Sequence, residues 1–417
     1  MNSTVDLTSA PIGTVEQALF ALGRGEFVVV LDSAERENEG DLILAADRVT
    51  PEALSFMIRH TSGLVCVGMT GERLDELEIP MMVAQNSDSM GTAFTVSVDY
   101  GPGTGTGISA ADRAATISAL VDPAATAGDF LRPGHVFPLR ARPGGVLERP
   151  GHTEAAVDLA RLAGCSPAGV LCEIVNDDGT MARATQLAEF ARRHGLVVIT
   201  VEQLIAYRRR SECLVRRSGR AAVHTEHGPT TVHAYESVLD GIEHVAVVYG
   251  DVRGPEPVLV RVHSECLTGD VLASSRCDCG PQLRLAHARI AAEGRGVLVY
   301  LRGHEGRGIG LGHKLRAYAL QDIGFDTVEA NVELGFPVDD RDYGIGAQIL
   351  RDLGLTSVRL MTNNPDKCEA LADHGLDVIE RVPVCIPPTP HSRRYLDAKR
   401  EKLGHLLPEP AGLALVG

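Results

Sequence analysis

The sequence predicts two α/β domains in tandem, each built on a mixed sheet. Three observations carry this expectation. The chain has 417 residues, too many for one ordinary core and enough for two domains of about 200 residues each. Short apolar runs alternate with helical patterns in both halves. The composition turns basic and polar at Tyr207–Arg220, the best boundary in the chain. The domains are therefore expected at residues 1–207 and 208–417. In the first, Phe27–Leu31, Gly169–Glu173 and Leu196–Thr200 read as strands, and Ala184–His194 as a helix closed by Gly195. In the second, Gly296–Tyr300 and Ser357–Met361 read as strands, and His313–Ile323 as a helix ended by Gly324. Pro387–Pro390 reads as a loop and Pro408–Gly417 as a frayed tail. No internal repeat is visible.

Composition narrows the function. A chain that is 44% hydrophobic and 23% charged is globular, and the absence of Trp makes its cores aliphatic. A net charge of −15 argues against a nucleic-acid partner and leaves room for local basic pockets around small phosphorylated ligands. The longest apolar runs are too short to span a bilayer, and Met1–Gly13 lacks the basic start and apolar stretch of a secretory signal. Nine cysteines without a regular framework suit a reducing cytosol. A cytoplasmic homodimer acting on small molecules is expected, with no membrane partner.

The densest chemistry lies between Arg261 and Leu283, where Cys266, Cys277 and Cys279 sit among charged and polar residues. Three thiolates supply three of the four tetrahedral ligands of zinc, and no further Cys or His stands at finger-like spacing. The fourth position is then open to water or substrate, the arrangement of a catalytic site. Ordinary buried thiols are the alternative, but Cys-x-Cys with Asp and Arg interleaved is poor core material. Downstream, the glycine-rich stretch Gly303–Gly312 offers free backbone N–H groups and Arg307 to phosphate, or forms a plain turn. Lys314 and Tyr318 share a helix face. Asp339–Tyr343 concentrates charge before a helix, and Thr362–Lys367 offers hydroxyl, amide and cation at a strand end.

From about Val258 to Leu407 these segments resemble GTP cyclohydrolase II, through R-V-H-S-E-C-L-T-G-D, R-C-D-C-G-P-Q-L, H-E-G-R-G-I-G-L, R-A-Y-A-L-Q-D, L-G-F-P-V-D-D-R-D-Y and L-M-T-N-N-P-D-K. The resemblance implies zinc on Cys266, Cys277 and Cys279. It implies GTP contacts from Arg261, Val262, His263, Ser264, Glu265, Gln282, Glu305, Gly306, Arg307, Thr327, Thr362 and Lys367. It implies Asp339 as proton acceptor, Arg341 as nucleophile and Tyr318 as an aid to proton transfer or orientation. An arginine that stays protonated is more easily a stabiliser of phosphate than a nucleophile, so both roles stand open for Arg341.

In the first half, Arg36-Glu37-Asn38-Glu39-Gly40-Asp41 places carboxylates just past a strand's end, a pattern that invites Mg²⁺ or forms a solvated acidic turn. Three more polar clusters follow at Arg132–Pro138, Arg149–Glu154 and Cys172–Gly179. In this order, from about Val15 to Tyr207, the motifs look like 3,4-dihydroxy-2-butanone 4-phosphate synthase. The resemblance implies a divalent ion on Glu37 and His152, Mg²⁺ or, given the imidazole, Mn²⁺. It implies sugar-phosphate contacts from Arg36, Glu37, Asp41, Arg149, Pro150, Gly151, His152, Thr153 and Glu173, with Arg149 and Glu173 catalytic and Cys66 nearby. One departure stands out: the family shows Thr-Thr-Gly before Ser-Ala-Ala-Asp-Arg, whereas this chain has Gly105-Thr106-Gly107 and so lacks one hydroxyl, with Thr104 the only substitute at hand.

The two resemblances together imply a bifunctional enzyme of riboflavin synthesis, a lyase that takes D-ribulose 5-phosphate and a hydrolase that takes GTP. Two rivals remain at this level: a chain with only one working half, and a zinc-stabilised nucleotide-binding regulator without turnover.

Overall fold

A computed structural model describes residues 12–336, 338, 339, 341 and 343–408. Most of the leader and tail stretches at Met1–Gly13 and Pro408–Gly417 lies outside the described residues, as do Pro337, Asp340 and Asp342 of the acidic motif. The chain divides into two compact units, Met1–Arg208 and Arg209–Gly417.

The first unit holds seven strands: β1 (Val28–Leu31), β2 (Gly40–Ala45), β3 (Cys66–Met69), β4 (Val98–Tyr100), β5 (Phe130–Arg140), β6 (Ala168–Glu173) and β7 (Val197–Thr200). They form one mixed sheet in the order β4-β5-β3-β6-β2-β1-β7, with β1–β7 and β3–β5 parallel and the other pairs antiparallel. Its helices are α1 (Val15–Gly23), α2 (Pro51–His60), α3 (Gly71–Glu76), α4 (Ala110–Val121), α5 (His152–Leu162), α6 (Ala184–His194) and α7 (Val201–Ser211). The unbroken apolar run of β1 follows from burial on both faces. Val28 and Val30 join a core with Ala18 and Leu22 of α1 and Leu159 of α5. Val29 and Leu31 point the other way, into a core with Leu54 and Met57 of α2 and Ile117 of α4.

The second unit repeats the logic with β8 (Val215–Thr225), β9 (Gly228–Ser237), β10 (Glu243–Tyr249), β11 (Val258–Ser264), β12 (Gly296–Leu301), β13 (Ser357–Met361) and β14 (Asp377–Val382). The sheet order is β14-β13-β11-β12-β10-β9-β8; β11 to β14 pair in parallel and β8, β9, β10 and β12 antiparallel. Its helices are α8 (Leu267–Asp270), α9 (Cys279–Glu293), α10 (Gly310–Asp322), α11 (Thr327–Glu333), α12 (Gly344–Asp352), α13 (Pro365–Asp373) and α14 (Arg393–Lys402). Val258, Val260 and Val262 of β11 pack with Ala347 and Ile349 of α12, while Leu259 faces Ala286 and Ile290 of α9.

The basic stretch Tyr207–Arg220, read as the boundary, holds the end of α7 and the start of β8, an edge strand exposed along nearly its whole length, which is why it carries arginines. One expectation shifts. The helix expected at His313 starts at Gly310, because first-turn N–H groups have no intrahelical partners and glycines there weaken the pattern more than the helix. No described helix is long and apolar enough to cross a membrane.

Candidate active sites

The first site forms where β1 ends. Asp32 accepts from the backbone N–H of Glu37 (3.0 Å) and Glu39 (2.9 Å) and from Arg36 (2.9 Å), folding residues 32–39 into a compact turn with Asn38 at φ 54°. This turn brings Glu37, itself ion-paired to Arg36, toward His152 at the first position of α5. The Nε2 of His152 lies 3.1 Å from the Val30 carbonyl, which can only accept, so Nε2 donates there and Nδ1 is the nitrogen turned toward the carboxylates. Nδ1 stands 3.8 Å from Glu37 and 3.7 Å from Asp41. Ligand atoms of Asp32, Glu37 and His152 lie within 4.8 Å of one another. Burial opposes a charged imidazole, but Asp41, Glu37 and Asp32 outweigh it and raise His152 to about 9. Burial raises Asp41 to about 7, and its Oδ1 has no hydrogen-bond partner. Such surroundings favour a divalent cation, so the residues fit one.

Asp41 on β2 pairs across the strands with Glu173 on β6, whose carboxylate accepts from Ser62 Oγ at 2.7 Å. Arg36, Glu37, Asp41, His152 and Glu173 are thus gathered in one place, with Cys66 buried as a thiol nearby. Pro150 and Gly151 lead into α5, and Thr153 is buried in its first turn. The Arg149 guanidinium is engaged elsewhere, with Glu154 (2.6 Å), the Met90 carbonyl (3.0 Å) and Thr92 (3.3 Å). At the departure from the family pattern, the Thr104 hydroxyl donates to the Tyr100 carbonyl. Gly105 is not among the positive-φ residues, and a Cβ there would meet only Asp112, at 3.6 Å.

The second site follows β11. Cys266 and Cys277 sulfurs are 3.7 Å apart, and all three cysteine sulfurs lie within 4.8 Å of one another. Gly269 makes room for them, since a Cβ there would sit 2.8 Å from Cys277 Sγ and 3.1 Å from Cys266 Sγ. Asp270 fastens the loop: it accepts from the Cys266 N–H (3.0 Å), the Tyr300 hydroxyl (2.9 Å) and His263 Nε2 (3.1 Å). Hydrogen bonding from Cys277, then Cys279 and Lys314, holds the Cys266 thiol far below its ordinary value. Hydrogen bonding to Cys266 raises Cys277 and Cys279 in turn, so without an ion the three converging sulfurs share one thiolate, and this soft donor set suits zinc.

Two connected lobes open beside the sulfurs. One is lined by Ser264, Glu265, the three cysteines, Gly306, Arg307, Tyr318, Thr327 and Arg341. The other is lined by Arg261, His263, Gln282, Thr362 and Lys367, and shares Ser264, Arg307 and Arg341 with the first. Arg261 Nε, Arg307 Nη2 and the Tyr343 hydroxyl are buried there without hydrogen-bond partners. Burial and the neighbouring Arg261 and Arg341 push Lys367 well below its ordinary value. Burial, Arg341 and Lys367 press His304 down to about 3, and burial, Lys399, Arg341 and Lys367 do the same to His405. Asp339 accepts from Arg341 Nε at 2.8 Å and from its Nη2, a two-pronged pairing along one guanidinium edge that, against burial, keeps Arg341 a cation. Val262 lines neither lobe; its side chain belongs to the core. The Glu305 carboxylate is spent on the Leu267 N–H (2.6 Å) and on Lys314.

Sequence reasoning passed over Asp32, Asp270, Tyr343, Tyr395, Lys399 and His405. Asp32 had a signal, an acid directly after a strand and before two N–H groups that need an acceptor. Tyr395, Lys399 and His405 reach the lobes from α14 and its C-terminal flank, far along the chain; Tyr395 and Lys399 bound the segment Y-L-D-A-K, which shares the cyclohydrolase resemblance, but spacing gave them no role.

Two family models match the chain one after the other. The family model described as 3,4-dihydroxy-2-butanone 4-phosphate synthase matches residues 16–207, and that of GTP cyclohydrolase II matches residues 216–383. The chain is 58% identical to a riboflavin biosynthesis protein of Aquifex aeolicus, over 94% of this chain and 97% of that one. It is 57% identical to the counterpart in Salinispora arenicola, over 97% and 98%. A crystal structure described as a two-domain 3,4-dihydroxy-2-butanone 4-phosphate synthase from A. baumannii superposes with a TM-score of 0.66 at 38% identity, covering 89% of this chain and 99% of that one.

Proposed function

This chain belongs to the bifunctional riboflavin biosynthesis proteins, with synthase and cyclohydrolase halves, and we propose how its residues divide the two reactions. The N-terminal half converts D-ribulose 5-phosphate to 3,4-dihydroxy-2-butanone 4-phosphate and formate. Glu37 and His152, with Asp32 beside them, are the residues to hold Mg²⁺ or Mn²⁺, which when bound polarises sugar oxygens and acidifies the C–H and O–H groups next to them. Asp41, with a buried unpartnered oxygen, and Glu173, oriented by Ser62, are placed to take and return those protons. Arg36, the first turn of α5 at His152 and Thr153, and the Pro150–Gly151 approach bind the sugar phosphate, helped by the N-terminal helix charge, while Arg149 braces that approach through Glu154, Met90 and Thr92.

The C-terminal half hydrolyses GTP to 2,5-diamino-6-ribosylamino-4(3H)-pyrimidinone 5′-phosphate, formate and pyrophosphate. Cys266, Cys277 and Cys279 are the residues to hold zinc, whose Lewis acidity toward water is what hydrolysis at the purine ring requires. Arg261, Arg307, Arg341 and Lys367 bind the triphosphate; the buried, partnerless Nε of Arg261 and Nη2 of Arg307 are the observation that carries this assignment. Ser264, Glu265, Gln282, Gly306, Thr327 and Thr362 position the nucleoside, and His263 and Glu305 support the cysteine loop from behind. Asp339 and Arg341 act as one unit at the junction of the lobes, Arg341 stabilising phosphate charge and Asp339 fixing the guanidinium.

A shared fold does not ensure a shared activity, and the A. baumannii chain is described by the synthase activity alone. The test therefore measures formate from each substrate separately, together with the metal content of the purified chain. Formate from ribulose 5-phosphate but none from GTP, in protein that carries zinc, would overturn the C-terminal assignment. A cytoplasmic homodimer completes the proposal, checked by fractionation and light scattering.

A further inference from the structure

Lysine is rarely buried, because its ammonium is strongly hydrated. Lys314 on α10 is 8% exposed and points at the metal-type cluster rather than at solvent. Its Nζ donates to Cys266 Sγ at 3.1 Å and to Thr268 Oγ1 at 2.9 Å, and it is ion-paired with Glu305. Glu305 in turn accepts from the Leu267 N–H at 2.6 Å, next to Cys266 in the chain. Thr268 Oγ1 is 3.1 Å from the Tyr318 hydroxyl, and Lys314 Nζ lies 5.7 Å from the centre of the Tyr318 ring. One ammonium thus touches a thiolate and, through one hydroxyl, the tyrosine that lines the same lobe.

We propose that Lys314 is a positioning residue that joins the cysteine cluster to Tyr318. Its N–H···S bond fixes the orientation of the Cys266 sulfur and offsets thiolate charge, and its bond to Thr268 holds that hydroxyl where Tyr318 needs a partner. Glu305 orients the ammonium and anchors the backbone of the cysteine loop, so the turn Glu305–Gly308 braces the site from behind. This inference rests on zinc occupying the three cysteines.

The full-length protein is tested as wild type, Lys314→Met and Thr268→Val. Zinc per chain is measured, along with the rate at which a chromophoric chelator removes it. Loss of an outer-shell partner costs about 10–100-fold in metal affinity or activity, so Lys314→Met should release zinc at least tenfold faster and lower kcat for GTP with little change in KM. In the cobalt-substituted variant the thiolate-to-cobalt band should move to lower energy, because the N–H···S bond no longer stabilises the sulfur electrons. Thr268→Val should keep zinc at the wild-type rate and still lose kcat. Ribulose 5-phosphate turnover should be unchanged in both, which also reports intact protein. Zinc release and a cobalt band like wild type in Lys314→Met, or an unchanged kcat in Thr268→Val, overturns the proposal. A wild-type chain without zinc would instead refute the metal assignment itself.

Discussion

The two clefts are opposites in charge. Around His152 the first gathers Asp32, Glu37, Glu39, Asp41 and Glu173 against Arg36 and Arg183. The second gathers Arg261, Arg307, Arg341, Lys367 and Lys399, and among the described residues Asp339 is ion-paired with Arg341 and Asp278 with Lys399. A surplus of carboxylates repels a sugar phosphate until a hard cation neutralises it, so the first cleft is built to bind metal and substrate together. A surplus of buried cations binds a polyphosphate directly and leaves its thiolates to a softer ion. Within one chain of net charge −15, ligand preference is set cleft by cleft and not by the overall balance.

The sharpest break of this comparison comes from removing one ligand on each side. Cys277→Ser should lose zinc and GTP turnover by well over the roughly 100-fold seen for outer-shell changes, while formate release from ribulose 5-phosphate continues. His152→Ala should give the reverse pattern, and chelation of Mg²⁺ and Mn²⁺ should mimic it in the wild type. Loss of both activities in either variant, with both halves still folded, would show that the clefts do not work independently.

A smaller effect separates the halves by pH. His304 and His405 sit at about 3 in the folded C-terminal unit against an ordinary value near 6.5, so between those values the unfolded state binds more protons. Their contribution to stability is full above pH 6.5 and shrinks as pH falls toward 3. Calorimetry of the zinc-loaded protein should show the C-terminal transition falling as pH drops below 6.5. Added pyrophosphate, whose charge supports an imidazolium, should reduce that fall.

The smallest expected effect is at Gly105. Its backbone lies outside the left-handed region and a Cβ fits against Asp112, so Gly105→Thr should be tolerated. With the Thr104 hydroxyl committed to Tyr100, the restored hydroxyl should lower KM for ribulose 5-phosphate by up to about 1 kcal/mol, roughly fivefold. Complete loss of activity would mean that position 105 demands glycine for its backbone after all.

Much of this was legible in the sequence wherever chemistry is local. Cys266, Cys277 and Cys279 lie within 14 residues, and Arg36 to Asp41 within six, so composition alone exposed both clusters. The two-sided burial of β1 was legible only as an apolar run, since a strand covered on both faces has no polar side to reveal its period. Asp32 escaped notice because its work is to accept two backbone N–H bonds, which only the folded turn displays. Lys314 was visible beside Tyr318 on one helix face, but its link to Cys266 spans 48 residues and depends on how α10 packs against the cysteine loop. Glu305 belongs to a recognisable motif, yet its side chain turns inward to Leu267 and Lys314, a direction no spacing conveys.

Strand β8 ends its sheet with an unpaired ladder eleven residues long, the kind of border on which other chains stack. Arg216, Arg217 and Arg220 stand along it, and its pairing slips between Arg217 and Gly219. Arg216 is ion-paired with Glu236 and Arg217 with Asp352, so the border carries fixed charge pairs, and the slip bends the template out of register; charged side chains and a broken register are both features that disfavour edge-to-edge pairing. That defence is weakened by salt: screening at high ionic strength should cost this protein colloidal stability along β8 first.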